Sequence, residues 1–304
     1  MKTAKLLNVK TFFAVLAAVS TVSNGVSAGD VDLSAAIVAP TGETTIRLYE
    51  VKYAPTPDFL YIVDFFLDEE TLRFELNGVT AVEPSNYEGA DVVRGGLLYD
   101  NWWKINGESE PSENYARYPD TSSQSGSGTW RCKECHGWDY KGNEGAYEIG
   151  SSHYTDIEGL YQVKNRPMAY IYGAIVDHNI PSLSEPDIWD LTKFLKEGTV
   201  DMNKYIVFSG AQSKSATGDA DNGRTLYENS GGCLKCHGAD GNKIAAVSVG
   251  AIANSNPWET LHKIRFGNSG TKMPAMISKG LSFQEQLDIL TYAQTLPPIE
   301  TEAH

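Results

Sequence analysis

Every cysteine of the 304-residue chain is committed to one of two short runs, Cys132-Lys133-Glu134-Cys135-His136 and Cys233-Leu234-Lys235-Cys236-His237. An even cysteine count in an exported protein ordinarily points to disulfides. The spacing argues otherwise, because each pair is C-x-x-C with a histidine directly after the second sulfur. A redox-active dithiol or half of a zinc site needs no histidine there. The pattern suits covalent attachment of haem: two thiols one helical turn apart each form a thioether to a vinyl group, and the next imidazole turns onto the iron. Cys132, Cys135, Cys233 and Cys236 are therefore expected to bind two haem c groups, with His136 and His237 as proximal ligands.

An internal repeat surrounds the two runs. Gly95-Gly96-Leu97-Leu98-Tyr99-Asp100-Asn101 matches Gly223-Arg224-Thr225-Leu226-Tyr227-Glu228-Asn229, and Asp139 and Gly142 follow the first run as Asp240 and Gly241 follow the second. Each repeat closes with an amphipathic segment. Ser184 with Asp187 has capping-box spacing ahead of Ile188, Leu191, Phe194 and Leu195; Ser282 with Glu285 precedes Leu287, Leu290, Tyr292 and Ala293, and Pro297-Pro298 ends that helix. Helix, C-x-x-C-H run, irregular loop and closing helix resemble class I cytochromes c over residues 93–199 and 216–298. The resemblance implies a mainly α fold of two tandem haem domains, in which the opening helix crosses the closing one. Leu98 or Tyr99 would then meet Trp189 or Leu191, Leu226 or Tyr227 would meet Leu290 or Tyr292, and Gly95 and Gly223 would allow the close approach.

The second axial ligand largely sets the potential of a haem iron. In the second repeat, Gly267-Asn268-Ser269-Gly270-Thr271-Lys272-Met273-Pro274 resembles the Met-Pro ligand loop of class I cytochromes c and implies Met273 as the distal ligand, with Met276 as core. His262, on the preceding helical stretch, reads as pocket-lining or exposed. The first repeat has no Met-Pro. Its matching loop carries His178, which is the leading distal candidate; Met168, His153 and an open position are the alternatives. A bis-His first haem and a His/Met second haem would send electrons from the first to the second.

Thirty-two residues separate Tyr99 from Cys132, against five between Tyr227 and Cys233. Trp102, Trp103, Tyr115, Tyr118 and Trp130 in this insert are expected to pack against haem or protein, and Ser122–Gly128 to form a mobile turn. A substrate loop is the sharper alternative.

Ahead of the repeats, residues 1–28 read as a secretory signal: Lys2, Lys5 and Lys10, an apolar run from Phe12 to Val19, and Val26-Ser27-Ala28 at a cleavage site. That predicts export to the periplasm or the cell exterior, with no membrane span in the mature chain. Residues 29–92 carry 3 Lys and Arg against 13 Asp and Glu. Thr45–Tyr53, Phe59–Phe66 and Leu72–Val79 alternate as short antiparallel strands would, with a helix through Asp58–Glu75 as the competing expectation. Residues 200–215 read as a linker and 299–304 as a tail.

The formal net charge of -14 argues against a nucleic-acid or anionic-membrane binder. Charge is uneven, and residues 200–304 are almost neutral. There Lys243, Lys263, Arg265, Lys272 and Lys279 predict a docking face for an acidic redox partner; head-to-tail self-association is a further expectation. The function expected is electron transfer between redox partner proteins, with no catalytic residue. Two alternatives stand beside it. One is a dihaem oxidoreductase, peroxidase-like or sulfur-compound oxidising; the absence of a fifth cysteine departs from the thiosulfate-oxidising pattern. The other is a haem-bearing subunit of a larger complex.

Overall fold

The computed structural model describes residues 84–298 apart from 121, 123, 209–213 and 246, together with the backbone of five strands between residues 31 and 82. The expected signal segment and tail lie outside the described residues.

Alternating β-branched and aromatic residues favour a pleated ribbon over a helix, and residues 60–68 and 73–82 form strands. β1 (Val31–Asp32), β2 (Ile37–Pro40), β3 (Thr45–Tyr53), β4 (Leu60–Asp68) and β5 (Arg73–Val82) make one antiparallel sheet. β3, β4 and β5 run as a meander, with Thr45 opposite Phe66 and Val63 opposite Val79. β1 and β2 both pair with β3. The helix considered for Asp58–Glu75 is thus replaced by parts of two strands.

Two compact units divide the chain, and they do not follow the repeat boundaries. The first holds the sheet, α1 (Pro84–Gly89) and, from far along the sequence, Arg166–Asn179, which contains α4 (Met168–Asp177). α4 lies against β3 and β4.

The second unit holds everything else from Asp91 onward. Its scaffold is two helix crossings. α2 (Val92–Asn106) crosses α5 (Glu185–Lys193), and α6 (Ala220–Glu228) crosses α10 (Phe283–Ala293). At the crossing points a Cβ on Gly95 would fall 2.0 Å from the Asp190 carbonyl oxygen, and one on Gly223 would fall 1.9 Å from that of Asp288. Only glycine permits backbones this close. The opening helices start alike: the Asp91 and Asp219 side chains cap them, while Asp190 and Asp288 accept from the Asp91 and Asp219 backbone N–H at 2.6 and 2.8 Å. Both closing helices begin with a complete capping box, Ser184 with Asp187 and Ser282 with Glu285.

Rings then seal each crossing. Tyr227 packs edge-on against Tyr292 at 5.3 Å. Tyr99 meets Phe194 at 5.2 Å, one turn beyond the expected Trp189 or Leu191, because Phe194 is the residue that stands where Tyr292 does in the second crossing. α2 breaks at Asn101 (φ -159°, ψ 89°), whose side chain accepts from the Lys104 N–H and so caps a fresh turn.

Parts of residues 200–215 carry regular structure. Met202 and Ile206 are buried, and β6 (Ile206–Phe208) pairs with β7 (Lys214–Ala216). The insert is tied down too. Trp102 and Trp130 donate to the carbonyls of Trp130 and Glu113, and Tyr115 packs on Trp130 at 4.9 Å. In the expected mobile turn, Gly126 donates to Asn114 at 2.6 Å and Ser127 bonds to Glu110, which pins it to the preceding loop. Among the described residues no helix is long and apolar enough to cross a membrane.

Candidate functional site

Each C-x-x-C-H run forms a single helical turn, α3 (Cys132–His136) and α7 (Cys233–His237). One turn brings both sulfurs and the imidazole to adjacent positions. A glycine in the left-handed region, Gly137 (φ 79°) or Gly238 (φ 78°), ends each turn. Its carbonyl is then held by the ring of the opening helix: Tyr99 donates to Gly137 at 2.6 Å, and Tyr227 to Gly238 at 2.9 Å. The loops beyond also agree, since Gly142 N–H bonds the His136 carbonyl and Lys243 N–H the His237 carbonyl, both at 2.9 Å.

Burial pushes the thiols of Cys132 and Cys135 up to about 12 and that of Cys233 up to about 11. Redox and zinc cysteines need the opposite shift. All four cysteines are free of disulfides. Among the described residues no group of three or more His, Cys, Asp or Glu side chains is placed to hold a bare metal ion.

The His136 ring is held in one orientation. Its Nδ1 lies 2.9 Å from the Glu158 carbonyl, which can only accept, so Nδ1 carries the proton and the ring lone pair is on Nε2. His237 differs, because its Nδ1 is buried with no hydrogen-bond partner among the described residues. The turns also differ in cover. Lys133, Glu134 and Cys135 are buried, whereas Lys235 and Cys236 are exposed. The Glu134 carboxylate takes Lys133 and, at 2.9 Å, His153. Burial alone would raise its pKa; the His153 hydrogen bond and the Lys133 charge more than offset that and bring it to about 2. His153, also stacked on Tyr147 at 4.9 Å, is thereby fastened to the side of the first turn. Arg131, next to Cys132, pairs with buried Asp100 and anchors the turn to α2.

Met273 stands in the loop after α9 (Pro257–Phe266), half-buried, while Met276 is 3 % exposed and sits in the core. The first repeat departs here. His178 caps the C-terminus of α4 instead of lying in a loop, with Nδ1 2.8 Å from the Ala174 carbonyl. The helix runs past Gly173 because Ala174-Ile175-Val176 sustain it, and stops where Asn179 turns left-handed (φ 51°). His178 and Met168 both belong to the sheet-bearing unit, and His136 to the other.

Sequence reasoning misplaced two residues of α9. His262 is not exposed. It is fully buried among Tyr99, Trp138, Tyr140, Phe194 and Phe266, all but the last from the first repeat. Burial holds its pKa down at about 4, so the ring is neutral. Arg265 is 5 % exposed and donates to the Gly198 carbonyl at 2.7 Å, so it cannot contribute to a docking face. Lys263 is paired with Glu259. Lys235, Lys243, Lys272 and Lys279 are exposed; the Lys243 ammonium donates to the Lys235 carbonyl at 3.0 Å and that of Lys279 to the Gly231 carbonyl at 2.6 Å. Neither burial has a local signal: α9 packs on α2, where Gly96 makes room for Phe266 and its carbonyl accepts from His262, and Arg265 reaches the distant Gly198 carbonyl.

A family model described as cytochrome C oxidase, cbb3-type, subunit III matches residues 218–292. The matched segment contains α6, the second C-x-x-C-H run, α9, Met273 and all but the last residue of α10. The match supports a cytochrome c domain at these residues, and a domain of that kind implies covalently bound haem c. Neither a curated protein nor a solved structure matches the chain.

Proposed function

We propose that the protein is an exported dihaem c-type cytochrome that passes single electrons between redox partner proteins. The observation that carries the second haem is the shared geometry of the two turns. The Tyr–carbonyl bond, the left-handed glycine, the glycine crossing and the paired caps of the matched domain all recur around Cys132, Cys135 and His136.

Haem supplies the one-electron iron couple, and the chain supplies the ligands and their surroundings. In this reading His136 and His237 are proximal ligands, Met273 is distal in the second repeat and His178 in the first. The Glu158 carbonyl sets the tautomer of His136 and raises its basicity. A thioether distal ligand raises the potential, so a bis-His first site lies lower and electrons run from the first repeat to the second. Exposed Cys236, with Lys235 and Lys243 beside it and Lys279 bonded to Gly231, supports the second run as the side that meets an acidic partner. Six-coordinate iron at both sites favours transfer over chemistry at the metal.

Low-temperature EPR with near-infrared MCD on the oxidised protein tests the assignment. One bis-His and one His/Met low-spin signal are expected, with two haems per chain by pyridine haemochrome. A high-spin haem binding cyanide rapidly would replace this reading with the oxidoreductase one. Sequencing the mature N-terminus tests export, which predicts a start at Gly29.

A further inference from the structure

The loop after the first C-x-x-C-H turn contains a residue its fold does not favour. Tyr140 adopts φ 65°, a region that costs a residue with a Cβ. Gly241 takes φ 76° at the matching place in the second repeat, so a C-x-x-C-H loop of this shape needs no aromatic there. The first repeat nevertheless holds a fully buried tyrosine in this position, and its hydroxyl lies 2.7 Å from His262 Nδ1. His262 Nε2 lies 3.0 Å from the Gly96 carbonyl. A carbonyl only accepts, so Nε2 carries the proton and Nδ1 accepts from the Tyr140 hydroxyl.

We propose that the Tyr140–His262 hydrogen bond is the through-bond bridge by which electrons cross from the first haem-bearing repeat to the second. The proposal rests on the dihaem reading above. On one side, Tyr140 is four residues after His136, and its N–H bonds the Gly137 carbonyl at 3.2 Å. On the other, His262 stands on the helix that leads into the Met273 loop, and the Met276 N–H bonds the Ile264 carbonyl at 3.0 Å, which fastens that loop back to the helix. Electronic coupling decays less through covalent and hydrogen bonds than across van der Waals gaps. Tyr99, Trp138, Phe194 and Phe266 pack around the pair, which keeps water out. A second polar chain crosses the same interface, from Trp258 through Asn203 to Asp139, at 2.8 and 3.1 Å, but it passes through an additional side chain.

The step balances without protons. One electron lost by the first iron is gained by the second, and Tyr140 and His262 remain closed-shell and neutral throughout. They are positioning residues.

The test is inter-haem equilibration after pulse-radiolytic reduction of the two-haem protein at pH 7. Tyr140→Phe keeps the ring and removes only the bridging oxygen; His262→Phe is the second variant. Both are expected to slow equilibration several-fold while both midpoint potentials and both low-spin spectra stay at their wild-type values. Asn203→Ala, which cuts the other polar chain, is expected to leave the rate unchanged. Wild-type rates in Tyr140→Phe and His262→Phe would overturn the bridge, as would equal slowing in Asn203→Ala, since that would trace the effect to a loosened interface. One haem per chain, or one potential, would instead refute the dihaem reading.

Discussion

Replacing Gly223 by alanine tests the helix crossing that frames the matched domain. The new Cβ would lie 1.9 Å from the Asp288 oxygen, and such contacts essentially never fall under 3.0 Å, so α6 and α10 must part by at least about 1 Å. Overpacking of this kind costs roughly 1–3 kcal/mol, and the better helix propensity of alanine returns about 1 kcal/mol. Separation also stretches the bonds from Asp219 and Asn222 to Asp288, at 2.8 and 2.7 Å, each worth roughly 1 kcal/mol. The net expectation is a loss of about 2 kcal/mol, which for a unit of this size lowers Tm by roughly 4–8 °C. Gly95→Ala should behave alike, with its Cβ 2.0 Å from the Asp190 oxygen. Gly128→Ala is the control, since nothing lies within 4 Å of its Cβ; a change within about 0.5 kcal/mol is expected. Denaturation of the holoprotein followed at the Soret band and by far-UV circular dichroism reads all three. If Gly223→Ala and Gly95→Ala unfold with the control, the close crossing is wrong.

Removing the hydroxyl in Tyr99→Phe should cost about 1 kcal/mol, because the buried Gly137 carbonyl loses its shorter hydrogen bond and keeps the one from the Tyr140 N–H at 3.2 Å; Tyr227→Phe, closer to solvent, should cost about 0.5 kcal/mol, and chemical denaturation ranks them. His262 has a folded pKa of about 4 against 6.5. Between those values the unfolded chain binds a proton that the folded chain refuses. Stability should therefore fall as pH drops from 6.5 to 4, by on the order of 3 kcal/mol, and His262→Phe should flatten urea midpoints across that window. Glu134, held at about 2 against 4.5, contributes stability present above 4.5 and lost towards 2, so Glu134→Gln should flatten the lower window. Ser282→Ala removes a complete capping box and should cost about 1 kcal/mol in the same assay.

What the sequence discloses is what local patterns govern. The two runs, the capping boxes at Ser184 and Ser282, the crossing glycines and the burial of Met276 were all readable, because each depends on residues a few positions apart or on comparison between repeats. The antiparallel strands were readable from period-two alternation, although their competition with a helix was resolved only by cross-strand pairing. Arg166–Asn179 was not readable. Its alignment with the helix before Met273 is correct in type, but its contacts are with β3 and β4, and choice of a distant packing partner leaves no mark on helical periodicity. The same holds for His262 and Arg265, polar residues whose burial is imposed by the facing surface of the first repeat. The positive φ of Tyr140 escaped for a related reason: the glycine that would have signalled it is present only in the second repeat.

The placement of α4 bears on the order in which the chain can complete itself. Synthesis delivers the five strands and α1 first, but their unit lacks α4 until residue 179 has emerged, and by then the C-x-x-C-H turn at 132–136 is already out. Attachment at that turn can thus precede closure of the unit in which the chain begins. A cut after Ala90 would leave α4 without the strands it covers, so the N-terminal segment and the first repeat are expected to be inherited, exchanged and lost together.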